Sequence, residues 1–322
     1  MDEAGGFLIP GAFESFRLDL GLTYTQASIV LVAPAPGALL GNGLSIAVDH
    51  RSRRAITATG AFGFAASLCS VAVTPGFAAC VAAAFVLGAA ATLTIRGSDV
   101  SLVDMAGDAP TTMIARSHVF GAAGDLFGPA LLVLVAATGL GWRVAFATFG
   151  VLAFAYAGWL ASLRFPPPPP APDGHRVRDS LRDITRDRRV WWCAFVALLL
   201  GPLDEPFLAF LIATLEREQH LSAWLATAIV VSSIAGNLVG FLQTGRAGHT
   251  PAPLAMASNA AILACTTAIA VVAPWPVVIV AIFVSGWATA HFFIALMDRI
   301  VALHPGRLGT VQAVITTVEF SG

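Results

Sequence analysis

Along the chain, apolar stretches of about 20 residues alternate with short polar loops, and a helix of that length spans a bilayer core. The pattern predicts membrane helices over roughly 26–47, 55–74, 77–104, 114–138, 142–163, 191–215, 223–243, 252–272 and 276–298. Shorter apolar pieces lie at 6–16, interrupted by Pro10 and Glu14, and at 308–320. No basic run precedes the first piece, so it does not have a signal-peptide layout. Short alternating segments of about ten residues, the mark of a membrane β-barrel, do not occur. The fold class is therefore an all-α polytopic membrane protein with about ten complete or near-complete transmembrane helices.

One stretch breaks the pattern. Phe165 is followed by Pro166 to Pro170, then Ala171-Pro172-Asp173-Gly174. Polyproline cannot continue a helix and makes a stiff spacer. The following HRVRDSLRDITRDRR places Val177, Leu181 and Ile184 at helical spacing among alternating Arg and Asp. That is the pattern of a short amphipathic helix lying at the membrane surface with a solvated charged face. The chain divides into a first bundle over 1–163 (helices 1–6, helix 1 partial), a linker over 164–190, and a second bundle over 191–322 (helices 7–11).

The two bundles repeat. Leu22, Gly37, Leu39 and Gly41 match Leu221, Gly236, Leu238 and Gly240, and Phe85 and Gly88 match Phe283 and Gly286 at almost the same offset. Two six-helix pseudo-repeats in parallel are one plan of secondary transporters. Extrapolating the repeat, the start of helix 1 and the end of helix 11 plus helix 12 are missing, as in a fragment of a longer chain. A genuine ten- or eleven-helix protein is the alternative.

Charge placement refines the picture. Charged residues make up 11% of the chain, against about a quarter in soluble domains. There is no lysine. Arg17, Arg143 and Arg217 fall on one side of the predicted membrane and Arg96 lies within it. The other arginines gather in the alternate loops, which places the N-terminus and the central linker in the cytoplasm. Trp142, Trp191, Trp192, Trp224 and Trp275 fall near helix ends, as an aromatic belt requires. With the Ala, Gly and Pro excess, the location is the inner membrane of a bacterium. Cys69, Cys80, Cys193 and Cys265 are scattered in apolar runs, without a disulfide or zinc framework. No metal or cofactor site, nucleic-acid partner, enzyme constellation or phosphate-binding loop of an ATP-driven pump is visible.

The densest motif runs from Gly37 to Arg54, G-ALL-G-NGL-S-IAV-DHRSRR. Gly37, Gly41, Ser45 and Asp49 recur every four residues, stacking on one helix face. Small residues let another helix approach closely, which suits a place where helices of the two halves slide. The loop resembles the signature of the major facilitator superfamily between helices 2 and 3, G-x-x-x-D-[RK]-x-G-[RK]-[RK]. Here Ser45 and Ser52 replace glycines and His50 replaces a basic residue, while Asp49, Arg51, Arg53 and Arg54 stand as read. The resemblance covers nearly the whole chain. It implies a cytoplasmic conformational latch carried by Asp49 and Arg53, with Asp104 at the end of helix 4 as partner. The equivalent second-half loop, 244–249, has lost the acid, so one latch is implied. Gly121, Gly124, Gly128 and Pro129 resemble part of the helix 5 motif of the family's antiporters and point to export. A third motif would place an arginine where Phe85 stands.

Ionisable residues inside the membrane are costly and are functional candidates. Arg96 pairs in this reading with Asp125 on the neighbouring helix or with Asp99 on its own. Asp204 and Glu205, flanked by Pro202 and Pro206, read as a carboxylate pair at a broken helix, suited to proton binding. The competing reading is that helix 7 ends early and the pair sits in outer water. Glu14 and His291 are further candidates, although a lone histidine among Thr289, Phe292 and Phe293 is more often a packed, hydrogen-bonded residue. The function this supports is a monomeric secondary transporter of a small organic molecule, proton-coupled and exporting. An uptake symporter or uniporter, and a non-transporting partner or sensor in a degenerate transporter fold, are the alternatives.

Overall fold

The computed structural model describes residues 8–107, 109–167, 177–201, 205–219, 223–244, 252–304 and 306–319. The first half holds α1 (Leu8–Gly11), α2 (Phe13–Asp19), α3 (Tyr24–Val32), α4 (Pro34–Ser45) with a 3-10 turn over Ile46–Asp49, α5 (Arg53–Ala72), α6 (Phe77–Met105), α7 (Pro110–Ala137) and α8 (Trp142–Ser162). Then follow α9 (Val177–Arg186), α10 (Arg188–Leu200), α11 (Glu205–Gln219), α12 (Ala223–Thr244), α13 (Ala252–Val272), α14 (Trp275–Leu303) and α15 (Leu308–Glu319). Among the described residues, eight helical stretches are long and apolar enough to cross a membrane. The chain is a multi-pass helical membrane protein.

Local chemistry sets the boundaries. Thr23 and Gln26 form a reciprocal capping box that starts α3 ahead of the apolar run. The span predicted over 26–47 is one membrane-crossing stretch, Tyr24–Asp49, interrupted at Pro34, which offers no N–H to continue the hydrogen bonding of α3. The last turn of the stretch tightens to 3-10 geometry and carries it on to Asp49. Ser52 accepts from the Ala55 N–H and opens α5. Asp187 accepts from the Arg189 N–H and opens α10.

The repeat is visible as matched backbone contacts. A Cβ on Gly37 would run into the Phe85 carbonyl, and one on Gly236 into the Phe283 carbonyl. Reciprocally, a Cβ on Gly88 would meet the Pro34 carbonyl and one on Gly286 the Ser233 carbonyl. Thus α4 lies against α6, and α12 against α14, at a distance only glycine permits. This corrects the idea that the Gly37–Gly41 stripe serves sliding between halves. It locks two helices of one half together.

Among the described residues, three larger apolar clusters organise the packing, beside a small one around Ala61, Ala157 and Leu160. One is confined to the first half, around Leu8, Phe16, Phe64, Leu68, Phe146 and Phe149. A second is confined to the second half, around Leu211, Leu215, Ile229 and Ile282. The third joins Val48, Val100 and Ile114 of the first half to Val190, Leu296, Ile300 and Val311 of the second. It lies where the 3-10 turn, the end of α6 and the starts of α7, α10 and α15 meet, called here the latch end. The linker helix α9 docks there too, with Ile184 fully buried in this cluster. That residue packs on protein, whereas an amphipathic helix resting on the bilayer would bury its apolar face in lipid. Trp142 also departs from the belt pattern, packing in the interior on Phe16 and Phe146. Trp191, Trp192, Trp224 and Trp275 remain exposed.

Candidate functional site

Asp49 is buried, and its carboxylate reaches the other half. It accepts hydrogen bonds from the backbone N–H of Gly309 at 2.9 Å, the N–H of Thr310 at 2.7 Å and the Thr310 hydroxyl at 2.6 Å. The first N–H groups of a helix have no intrahelical acceptor and carry partial positive charge. A buried carboxylate there satisfies both sides through charge-assisted bonds. Gly309 is needed for the approach, since a Cβ there would lie 2.9 Å from Asp49 Oδ1. Ser45 is also buried, donating to the Asn42 carbonyl at 2.8 Å.

Arg53, 1% exposed, forms an ion pair with Asp104 at the end of α6. The motif thus divides its work. Asp49 grips α15 across the halves, while Arg53 and Asp104 tie α5 to α6 within the first half. Arg51 and Arg54 are exposed, and Arg51 borders a shallow recess with Leu44, Ile56 and Leu93.

Deeper along the same interface, α15 presents Gly309, Gln312, Thr316 and Glu319 at intervals of three and four residues, one helix face. Gln312 donates to Asp99 at 3.3 Å. Arg96 donates to the Thr316 hydroxyl at 2.6 Å and lies 3.7 Å from Asp99. Arg96 is therefore held by Asp99 on its own helix and by a residue of the opposite half. Asp125, the other partner weighed from the sequence, faces the cavity described next. None of the α15 residues stood out in the sequence, where 308–320 read as an apolar end piece. Their helical spacing was the available signal.

Between the halves lies a cavity of about 600 Å³. Pro10, Leu31, His118, Ala122 and Asp125 line it from the first half, and Leu208, Ile212, Ser233, Asn237, Phe241, Thr289, Phe293 and Glu319 are among its second-half walls. Toward the latch end it is floored by an aromatic cluster crossing the halves. His118 of α7 stacks on Phe241 of α12 with centroids 5.1 Å apart, and meets Phe293 of α14 edge-on at 4.6 Å. Leu31, Leu208 and Ile212 belong to helix segments that lead away from the latch end. The cavity therefore extends toward the opposite end of the bundle. Ionisable wall residues include Asp125, His118 and Glu319; His118 follows Arg116-Ser117 and Glu319 closely follows Thr316-Thr317, and the sequence does not show which residue of each polar run faces the cavity.

Other candidates lie elsewhere. Glu14 is an exposed partner of Arg17 at 2.5 Å. His291 hydrogen-bonds the Trp287 carbonyl at 3.0 Å and packs against its ring, the arrangement of a structural histidine. Asp204 and the side chain of Glu205 lie outside the described residues, as does the second-half loop over 245–251. Helix α10 does end at Leu200 and α11 begins at Glu205. Gly121, Gly124, Gly128 and Pro129 lie on α7, which packs against α12 of the other half.

The linker is fastened at the latch end. Asp187 contacts His304 at 3.1 Å and Asp183 contacts Arg307 at 3.4 Å, joining the start of α10 and α9 to the α14–α15 connection. Hydrogen bonds from the Arg189 guanidinium and N–H, with lesser attraction from that guanidinium and His304, hold the Asp187 carboxyl down to about 2.

Comparison with known proteins bears on this geometry. The solved E. coli fucose:proton symporter FucP superposes with a TM-score of 0.75 at 14% identity, over 99% of this chain and 87% of that one. The proton:xylose symporter XylE superposes with a TM-score of 0.67 at 15% identity, over 99% and 84%. At such identities the likeness is one of fold. No curated protein matches the chain at a significant level. The sequence model of the Major Facilitator Superfamily matches residues 3–322. With that match, and two halves repeating one helix arrangement around a central cavity, the chain belongs to the major facilitator superfamily of membrane transporters.

Proposed function

We propose that the protein moves a small organic molecule across the bacterial inner membrane by alternating access, exporting it in exchange for protons. The observation carrying this is the cavity lined by both halves and closed at one end by contacts crossing between them. Asp49 with α15, Asp99 with Gln312, Arg96 with Thr316, and His118 with Phe241 and Phe293 all close the same end. Breaking them while forming contacts at the other end would expose the same cavity to the opposite side. The arginine distribution supports a cytoplasmic latch end. Asp125 and Glu319 in the wall are groups able to take and release protons. One chain supplies the cavity, consistent with a monomer.

The test is proton flux in inside-out vesicles holding an acid lumen. Adding an exported substrate alkalinises the lumen. Lumen acidification on adding substrate to neutral vesicles, or no proton movement during transport, overturns antiport. Uptake by symport is the second reading, favoured by the names of the two proton symporters that share the fold.

A further inference from the structure

We propose that the recess beside Arg51 is a binding site for an anionic phospholipid, with the phosphate on Arg51 and an acyl chain starting along Leu44, Ile56 and Leu93. The recess is built by close contacts within the first half. Gly41 of α4 lies against Ala89 and Thr92 of α6, and Gly60 of α5 lies against Ala90 and Thr94. Both helices are thus drawn down onto α6, and Leu93, between the two contact residues, floors the gap left between them. Leu44 of α4 and Ile56 and Thr59 of α5 form its walls, Arg51 and Ser52 close its end, and its volume is about 500 Å³. The membrane-crossing stretches Tyr24–Asp49 and Arg53–Ala72 end on either side of those two residues. The closed end therefore lies at headgroup depth and the walls run beside the acyl chains. Leu44, and Leu40 one turn away on the same face, are exposed. An exposed apolar groove between spanning helices is filled by lipid, not by water.

Charge selects the headgroup. The acids of this region are already engaged, Asp49 with the start of α15 and Asp104 with Arg53. Arg51 and Arg54 are exposed, and among the described residues no carboxylate pairs with either. A guanidinium takes phosphate through parallel N–H donors. A zwitterionic headgroup would bring its own cation toward the second arginine, whereas a net negative one meets positive charge alone. Basic recesses between spanning helices at headgroup level suit anionic lipids for this reason.

The test is native mass spectrometry of the full chain in mild detergent, titrated with palmitoyl-oleoyl phosphatidylglycerol and, separately, with phosphatidylcholine of the same chains. Phosphatidylglycerol should be retained more tightly and should raise the melting temperature more. Arg51→Gln should weaken its binding by about fivefold, the effect of one arginine at the membrane surface, and Arg51→Lys should keep most of it. Arg116→Gln, at an exposed arginine of α7 outside the recess, should leave it unchanged. Thr59→Trp, which fills the recess without altering charge, should weaken it as well. Arg51 and Thr59 are exposed, so these replacements leave helix packing intact, and melting without added lipid should match wild type. Equal affinity for the two lipids, or equal loss in Arg51→Gln and Arg116→Gln, overturns the inference. So do unchanged binding in Thr59→Trp, equal stabilisation by inorganic phosphate alone, and a lipid-free dimer, which would assign this face to a second copy of the chain.

Discussion

At the scale of single residues, Asp49 holds the most consequential contact. Its carboxylate satisfies three donors at the start of α15. In Asp49→Asn one oxygen is replaced by an amide that faces N–H donors and the charge is lost. A hydrogen bond to a charged group is worth about 1.5–3 kcal/mol, so the closed latch loses roughly tenfold or more in population. Spin-label distances between the latch-end loops should lengthen and transport should fall, with membrane insertion unchanged. Gly309→Ala should act in the same direction without touching a charge, because its methyl displaces the carboxylate. Wild-type distances in both variants would remove Asp49 from the latch. The Asp49–Arg54 motif is legible in sequence, and so is Asp104. The grip on α15 is not, because two of its three donors are backbone N–H groups. Every residue but proline carries one, so nothing in the letters marks them.

At the scale of elements, matched glycines set how closely helices pack. Gly37→Ala and Gly236→Ala each place a methyl inside a facing backbone carbonyl. Overpacking of this kind costs about 1–3 kcal/mol or more, and both variants should melt earlier in detergent. Gly43→Ala, where an added Cβ meets nothing within 4 Å, should be neutral or slightly stabilising, given alanine's helix preference of about 1 kcal/mol over glycine. Equal melting of the three variants would refute the close-packing account. The start of α10 offers a pH test. Asp187 has its folded pKa depressed to about 2, so its stabilisation is full above an ordinary aspartate's pKa near 4 and is lost as pH falls through about 2. Asp187→Ala removes the cap, at about 1 kcal/mol. Amide protection in the first turn of α10 should therefore differ from wild type at neutral pH and converge with it at strongly acidic pH. The existence of these helices is written in their apolar runs.

At the scale of the whole molecule, the two halves share an apolar cluster and polar contacts at the latch end and keep separate cores elsewhere. In a chain freed of its native cysteines, Ala122→Cys in the cavity wall should react with a membrane-impermeant thiol reagent applied to the side opposite the latch. Adding Phe241→Ala and Phe293→Ala removes the aromatic floor and should admit reagent from the latch side. Labelling from the latch side without those changes would contradict the closed floor. Sequence alone determined that the chain is a bundle of membrane helices in two repeated halves, because bilayer thickness imposes a length and an apolarity on every span. It also showed the Asp49–Arg54 motif, because its residues are contiguous. What faces the cavity was decided by tertiary structure alone. Asp125, His118, Asn237 and Glu319 lie on three helices far apart in sequence, and three of them stand near other polar residues, Arg116-Ser117, Ser232-Ser233 and Thr316-Thr317. Rotation of each helix about its axis, set by glycine contacts and by packing between halves, turns those letters toward one space.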